Sequence, residues 1–156
     1  MLATAASSLL RPQTLLINTT PSEPIGLYHI TGETPAVGRI IAFKVPSTAF
    51  PYADRHLPYL RRVPLLKAIA AAAGDRVCTT TGRLVIDGRD RAAIARVDGE
   101  GRALPRWIAC RTLAPGEVFV FSSRVPNSFD SRYFGPVSRP AVEGVFAPTL
   151  LIRTHP

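Results

Sequence analysis

Hydrophobic positions in this chain fall in short runs, and nearly every run is closed by a proline or a glycine. Residues 27–30 read as an apolar strand that leaves Gly26 and ends in the turn Thr31-Gly32-Glu33-Thr34-Pro35. Residues 38–45 read as a second strand, stopped by Pro46, and the two are expected to pair as a hairpin. Residues 47–62 carry Pro51, Tyr52, His56, Pro58 and Tyr59 and are expected as a lid or surface loop. The run from Val63 through Lys67 to Asp75 allows two structures. Its alanines favour helix, while the alternation around Lys67 and the flanking Pro64 and Gly74 suit a buried strand. Periodicity does not separate the two over so short a run.

Further along, residues 76–78 and 82–88 read as short strands about a tight turn, residues 89–105 as a polar excursion and residues 106–111 as another strand. The strongest strand signal is residues 118–121, after the turn Pro115-Gly116-Glu117. Residues 144–147 and 150–153 are strand-like as well. Many short strands between turn signals predict a mainly β fold, a coiled barrel or a sandwich.

Composition narrows this little. The 156 residues suit one domain with a real core. Hydrophobic residues at 46% against 19% charged exclude a disordered chain, and 15 prolines with 11 glycines argue against a helical bundle. A net charge of +8 raises nucleic acid or an anionic membrane as a partner. The basic residues are scattered singly, apart from Arg61-Arg62, with no aromatic ladder among them, so no nucleic-acid partner is expected. No apolar run reaches the ~20 residues that span a bilayer. Cys78 and Cys110 allow one bridge, closing a loop of about 30 residues for roughly 3–4 kcal/mol, or two buried reduced thiols. Two distant cysteines are too few to hold a metal, so neither metal nor cofactor is expected.

Three stretches carry chemistry. In Asn18-Thr19-Thr20-Pro21-Ser22-Glu23-Pro24-Ile25-Gly26-Leu27-Tyr28, Ser22 stands between two prolines that stiffen the backbone. A presented serine is a nucleophile only if a base lies nearby. Of the basic residues, only Lys44 and Lys67 are lysine, and Lys67 is flanked by Leu65, Leu66, Ala68 and Ile69. Arginine does not give up its proton in a protein, whereas a desolvated lysine does. In Asn127-Ser128-Phe129-Asp130-Ser131-Arg132-Tyr133-Phe134-Gly135-Pro136-Val137, an Asp and an Arg two apart can pin a loop, and Ser128 offers a hydroxyl to orient a neighbour.

In this order, the serine elbow, Leu65-Leu66-Lys67 with Gly74-Asp75 beyond it, and Asn127-Ser128-Phe129-Asp130-Ser131-Arg132 resemble the type I signal peptidases. The Gly-Leu-Tyr after the serine, the Cys78 and Cys110 pair and Asp130-Ser131-Arg132-Tyr133-Phe134-Gly135-Pro136 look more narrowly like the TraF-type conjugative-transfer peptidases. The resemblance implies the coiled β-barrel fold shared by signal peptidases and LexA-like repressor proteases. It implies a serine endopeptidase in which Ser22 is the nucleophile and Lys67 the general base. The Thr20 hydroxyl and the Ser22 N–H would form the oxyanion hole, Ser128 would steady the lysine, and Asp130 and Arg132 would support the site. To act near pH 7–8, Lys67 must lose ~3 pKa units from 10.4, roughly 4 kcal/mol of disfavoured charge, and burial supplies this. The implied substrate is a pilin precursor, cleaved after small residues and in some members closed into a ring. Two departures from the wider family are Glu23, where a Met follows the serine, and Ala71, where a Gly follows the lysine.

The expected organisation is a membrane-proximal segment, residues 1–17, with an anchor missing or upstream, and a single peptidase domain, residues 18–156. The expected location is the periplasmic face of the bacterial inner membrane. Four alternatives stand beside it. One is a general type I signal peptidase for exported proteins, and another is an inactive binding module in a secretion assembly. A self-cleaving repressor-type protease is disfavoured, since the ~20 residues before Ser22 leave no room for a DNA-binding domain of typical size. A Ser-His-Asp triad through His29, His56 or His155 lacks the Gly-x-Ser-x-Gly elbow.

Overall fold

Short apolar runs that alternate inward and outward residues bury one face by pairing side by side, and the chain does this repeatedly. The computed structural model describes residues 14–152. Most of the 1–17 segment therefore lies outside the described residues. Among them are β1 (Leu15–Asn18), β2 (Gly26–Ile30), β3 (Ile40–Phe43), β4 (Leu65–Ala72), β5 (Arg76–Cys78), β6 (Arg83–Ile86), β7 (Arg89–Ala93), β8 (Cys110–Thr112), β9 (Glu117–Val120), β10 (Val137–Ser138) and β11 (Val142–Leu151). Helix is confined to α1 (Tyr52–His56), α2 (Ser131–Phe134) and three 3-10 turns. The mainly β expectation holds.

Seven strands form one sheet in the order β1-β2-β11-β3-β4-β9-β10, and four form a second in the order β7-β6-β5-β8. The expected hairpin between residues 27–30 and 38–45 does not exist. β11 lies between β2 and β3 and pairs antiparallel with both, Ala147 opposite His29 and Val145 opposite Ile41. The two strand-like pieces near the C-terminus are this one long strand, carried past Pro148 by a bulge. It covers more apolar surface than a local hairpin could, because β2 and β3 then each gain a partner on both sides.

The ambiguous alanine run is a strand. β4 pairs with β3 on one side, Lys67 opposite Ile41, and with β9 on the other, Ile69 opposite Val120. It supplies Ile69, Ala71 and Leu66 to three separate apolar clusters. Burial on both faces overrides the helix propensity of alanine, which is at most a few tenths of a kcal/mol per residue against other common residues.

Two further expectations need correction. The excursion at 89–105 begins as β7, paired with β6, and the strand expected at 106–111 is confined to β8. The 47–62 connection is not a simple surface loop, because Ala49, Ala53 and Leu60 from its helical turns enter the largest apolar cluster. No helix among the described residues is long and apolar enough to cross a membrane.

Candidate active site

Prolines at 21 and 24 leave the elbow with no strand to bond to, yet its carbonyls are nearly all satisfied. Asn18 Nδ2 donates to the carbonyls of Thr20 (2.9 Å), Glu23 (2.9 Å) and Pro24 (3.0 Å). Arg124 Nε donates to Pro21 O at 3.3 Å, Ser122 Oγ to Ser22 O, and Tyr28 Oη to Pro24 O at 2.6 Å. Five consecutive carbonyls, 20 to 24, are thus held by side chains in place of a strand ladder. Beyond them, Gly26 allows the close approach its position suggests. A Cβ there would lie 2.1 Å from Leu150 O, and its φ is +154°.

This scaffold points the Ser22 hydroxyl at β4. Lys67 Nζ donates to Ser22 Oγ at 2.5 Å across a separation of 45 residues. Ser22 is 6% exposed and Lys67 2%. Burial lowers the Lys67 pKa from its ordinary value to about 8, with Arg132 pushing the same way and Asp130 and Glu23 opposing. That agrees with the depression a lysine base needs. The cleft above the pair, about 220 Å³, is lined among others by Thr20, Leu57, Leu60, Asn127 and Phe129.

Thr20 Oγ1 lies 3.4 Å from Ser22 Oγ, and in this structure it donates to Asn18 Oδ1 at 3.0 Å. Ser128 lines the same cleft, but its buried hydroxyl has no hydrogen-bond partner among the described residues, Lys67 included. Asp130 and Arg132 sit behind the cleft rather than in it. Asp130 caps α2 and pairs with Arg132, Nε to Oδ1 at 2.8 Å and Nη2 to Oδ2 at 2.9 Å. Arg132 also donates to Ala93 O and Ser128 O, so the loop that carries Ser128 is tied to β7. The pair is almost wholly buried, not the exposed turn it could have been. Cys78 and Cys110 form a disulfide directly across β5 and β8, in the second sheet.

Three residues of the site carry no sequence signal of their own. Asn18 and Ser122 act on backbone carbonyls, and Glu23 accepts the Ala68 N–H at 2.9 Å. Partners that are backbone atoms leave no trace in residue types. A trough of about 170 Å³ leads to the cleft between residues 16–20 and 63–66. There β9 no longer pairs with β4, whose register with it begins at Ile69.

A buried serine hydroxyl bonded to the amine of a lysine with a lowered pKa, at the end of a strand-lined trough, has the arrangement that nucleophilic catalysis by serine requires. Residues 2–150 match the family described as signal peptidase, peptidase S26, and the chain belongs to this family of serine proteases. A conjugal transfer protein TraF of Agrobacterium tumefaciens is 39% identical over 132 residues, covering 78% of this chain and 73% of the relative. A plasmid transfer protein TraF of Escherichia coli is 32% identical over 144 residues, covering 86% and 81%. Among solved structures, a signal peptidase I of Enterococcus faecalis shows a loose likeness, with a TM-score of 0.45, 23% identity, and cover of 75% of this chain and 100% of that one.

Proposed function

We propose that this protein is a Ser/Lys endopeptidase that processes a pilin precursor in conjugative transfer. The observation that carries the reading is the bond from Lys67 Nζ to Ser22 Oγ between two buried side chains. The neutral Lys67 amine takes the Ser22 proton as Oγ attacks the scissile carbonyl carbon. The resulting ammonium then protonates the leaving amine as the C–N bond breaks. Water, deprotonated by Lys67, or the amine of a pilin terminus attacks the ester carbon, and Oγ leaves and recovers its proton. The amine route joins the ends into a ring. Thr20, once its hydroxyl turns from Asn18, and the Ser22 N–H donate to the oxyanion.

The substrate adds as a strand in the trough, against the free edge of Leu65 and Leu66, and the shallow cleft favours small side chains. Conjugation as the setting is supported by the relatives, which are named as transfer proteins. Contact with a membrane surface is supported by exposed Leu15, Ile17, Leu150, Leu151 and Ile152, and the proposed surface is the periplasmic side of the inner membrane. Ile17 and Leu150 flank Leu27 in register across β1, β2 and β11, an apolar patch beside the trough. The peptidase unit, expected at residues 18–156, takes in Leu15, Leu16 and Ile17 of β1 as well, and the segment expected next to the membrane is the part of 1–17 before them.

The test is incubation with a pilin precursor from a conjugative transfer system, read by product mass. Wild type is expected to give cleaved or water-depleted, cyclised pilin, and Ser22→Ala and Lys67→Ala are expected to lose about 10³-fold or more. Equal processing by Ser22→Ala, or none by wild type, sinks the reading.

A further inference from the structure

Glu23 is a charged side chain, 5% exposed, that the chemistry above does not use. It follows the serine directly. Its Oε1 accepts the N–H of Ala68, the residue that directly follows Lys67. Two neighbouring residues of the elbow are therefore bonded to two neighbouring residues of β4, 22 to 67 and 23 to 68. One bond between Ser22 and Lys67 leaves the hydroxyl free to pivot about it. A second bond one residue on closes a ring and removes that freedom. The site of the second bond is otherwise unfilled on β4. The Ala68 carbonyl accepts from Phe121 N, and β9 supplies no register partner before Ile69. Without the carboxylate, the Ala68 N–H is a part-buried donor at the end of a ladder with no other partner among the described residues.

We infer that Glu23 is a positioning residue that locks the Ser22 hydroxyl onto the Lys67 amine, and that its negative charge holds part of that amine protonated. This rests on Ser22 and Lys67 being the catalytic pair. The charged and titratable groups around the pair are few. Lys67 is faced by Glu23 from the elbow and by Asp130 and Arg132 from the segment after β9. Glu23 is faced by Lys67, by Arg124 and, from β2, by Tyr28. Burial raises the Glu23 carboxyl, opposed by the Ala68 N–H, Lys67 and Arg124. A carboxylate beside an ammonium favours the charged amine, so removing the negative charge lowers the pH at which Lys67 becomes a base.

The experiment measures kcat and KM from pH 5.5 to 9.5 on an internally quenched peptide carrying an Ala-x-Ala site, with wild type, Glu23→Gln and Glu23→Ala. Gln keeps an acceptor for the Ala68 N–H and loses the charge. Its acid limb is expected to move to lower pH by about half a unit or more. Ala loses both, and its kcat is expected to fall about 10-fold or more with little change in KM, as for a misplaced reacting group. Gln is expected to recover most of that kcat. An unmoved acid limb in Glu23→Gln overturns the charge role, and an Ala variant with wild-type kcat overturns the positioning role. If the Ala variant does not fold, a tenfold kcat loss in Glu23→Gln overturns positioning through the retained acceptor, and recovery supports it. Persistent cleavage by Ser22→Ala in the same assay is a different result, since it removes the catalytic pair on which the inference rests.

Discussion

The two sheets treat the same residue types in opposite ways. In the second sheet, Arg83 and Asp90 pair across β6 and β7 with each side chain about half exposed. Behind the cleft of the first, in α2 and its cap, Asp130 and Arg132 make a comparable pair at 0% and 2% exposure. Around the cleft, Asn18, Ser22, Glu23, Lys67, Ser122, Ser128, Asp130, Ser131 and Arg132 are all buried, whereas among the described residues Thr79 alone is a buried polar residue beside the second sheet. Exposed pairs contribute little, because water and salt screen them. Buried polar groups are costly unless each finds a partner. Concentrating them at one place marks where the molecule gives up stability for chemistry, while the second sheet is held by an ordinary apolar cluster and a disulfide.

The contrast can be broken most sharply at Asp130. Asp130→Ala leaves Arg132 charged and unpaired in the interior and uncaps α2, and urea unfolding is expected to show a loss of about 3–5 kcal/mol. Lys67→Met should act in the opposite direction. A lysine whose folded pKa is lowered to about 8 binds fewer protons folded than unfolded between pH 8 and its ordinary 10.5. Wild-type stability therefore carries the full cost of the buried charge below pH 8 and regains it as pH rises through that window. Thermal melts at pH 7 should favour Lys67→Met by about 3 kcal/mol, with the gap closing by pH 10.5. A gap independent of pH would show that Lys67 is charged at no cost. The smallest effect is expected for Arg83→Ala, a shift of the urea midpoint barely above detection and weaker still in high salt.

Much of the site was legible along the chain, and much of its support was not. Ser22 and Lys67 stood out because prolines around a serine and a lone lysine among apolar residues are both unusual, and their order matched a family. Asp130 and Arg132 were visible as a possible pair, but their burial was not. That depends on β7 and Phe121 closing over them, with the Arg132 guanidinium 4.9 Å from the Phe121 ring centroid. Ser128 was expected to steady Lys67, and its hydroxyl instead remains without a partner among the described residues. Asn18, Ser122 and Glu23 were missed as structural ties, since any backbone carbonyl or N–H can serve as their partner.

By itself the sequence determined the class of fold, the places where strands begin and end near proline and glycine, and the two side chains able to make a nucleophile and a base. These follow from local stereochemistry and from side-chain chemistry, which travel with each residue. Only the tertiary structure decided that β11 separates β2 from β3, that an alanine run is strand, and that Glu23 reaches the residue after Lys67. Each of those choices depends on burial and pairing between segments far apart in the chain, where the gain from a shared surface outweighs local preference.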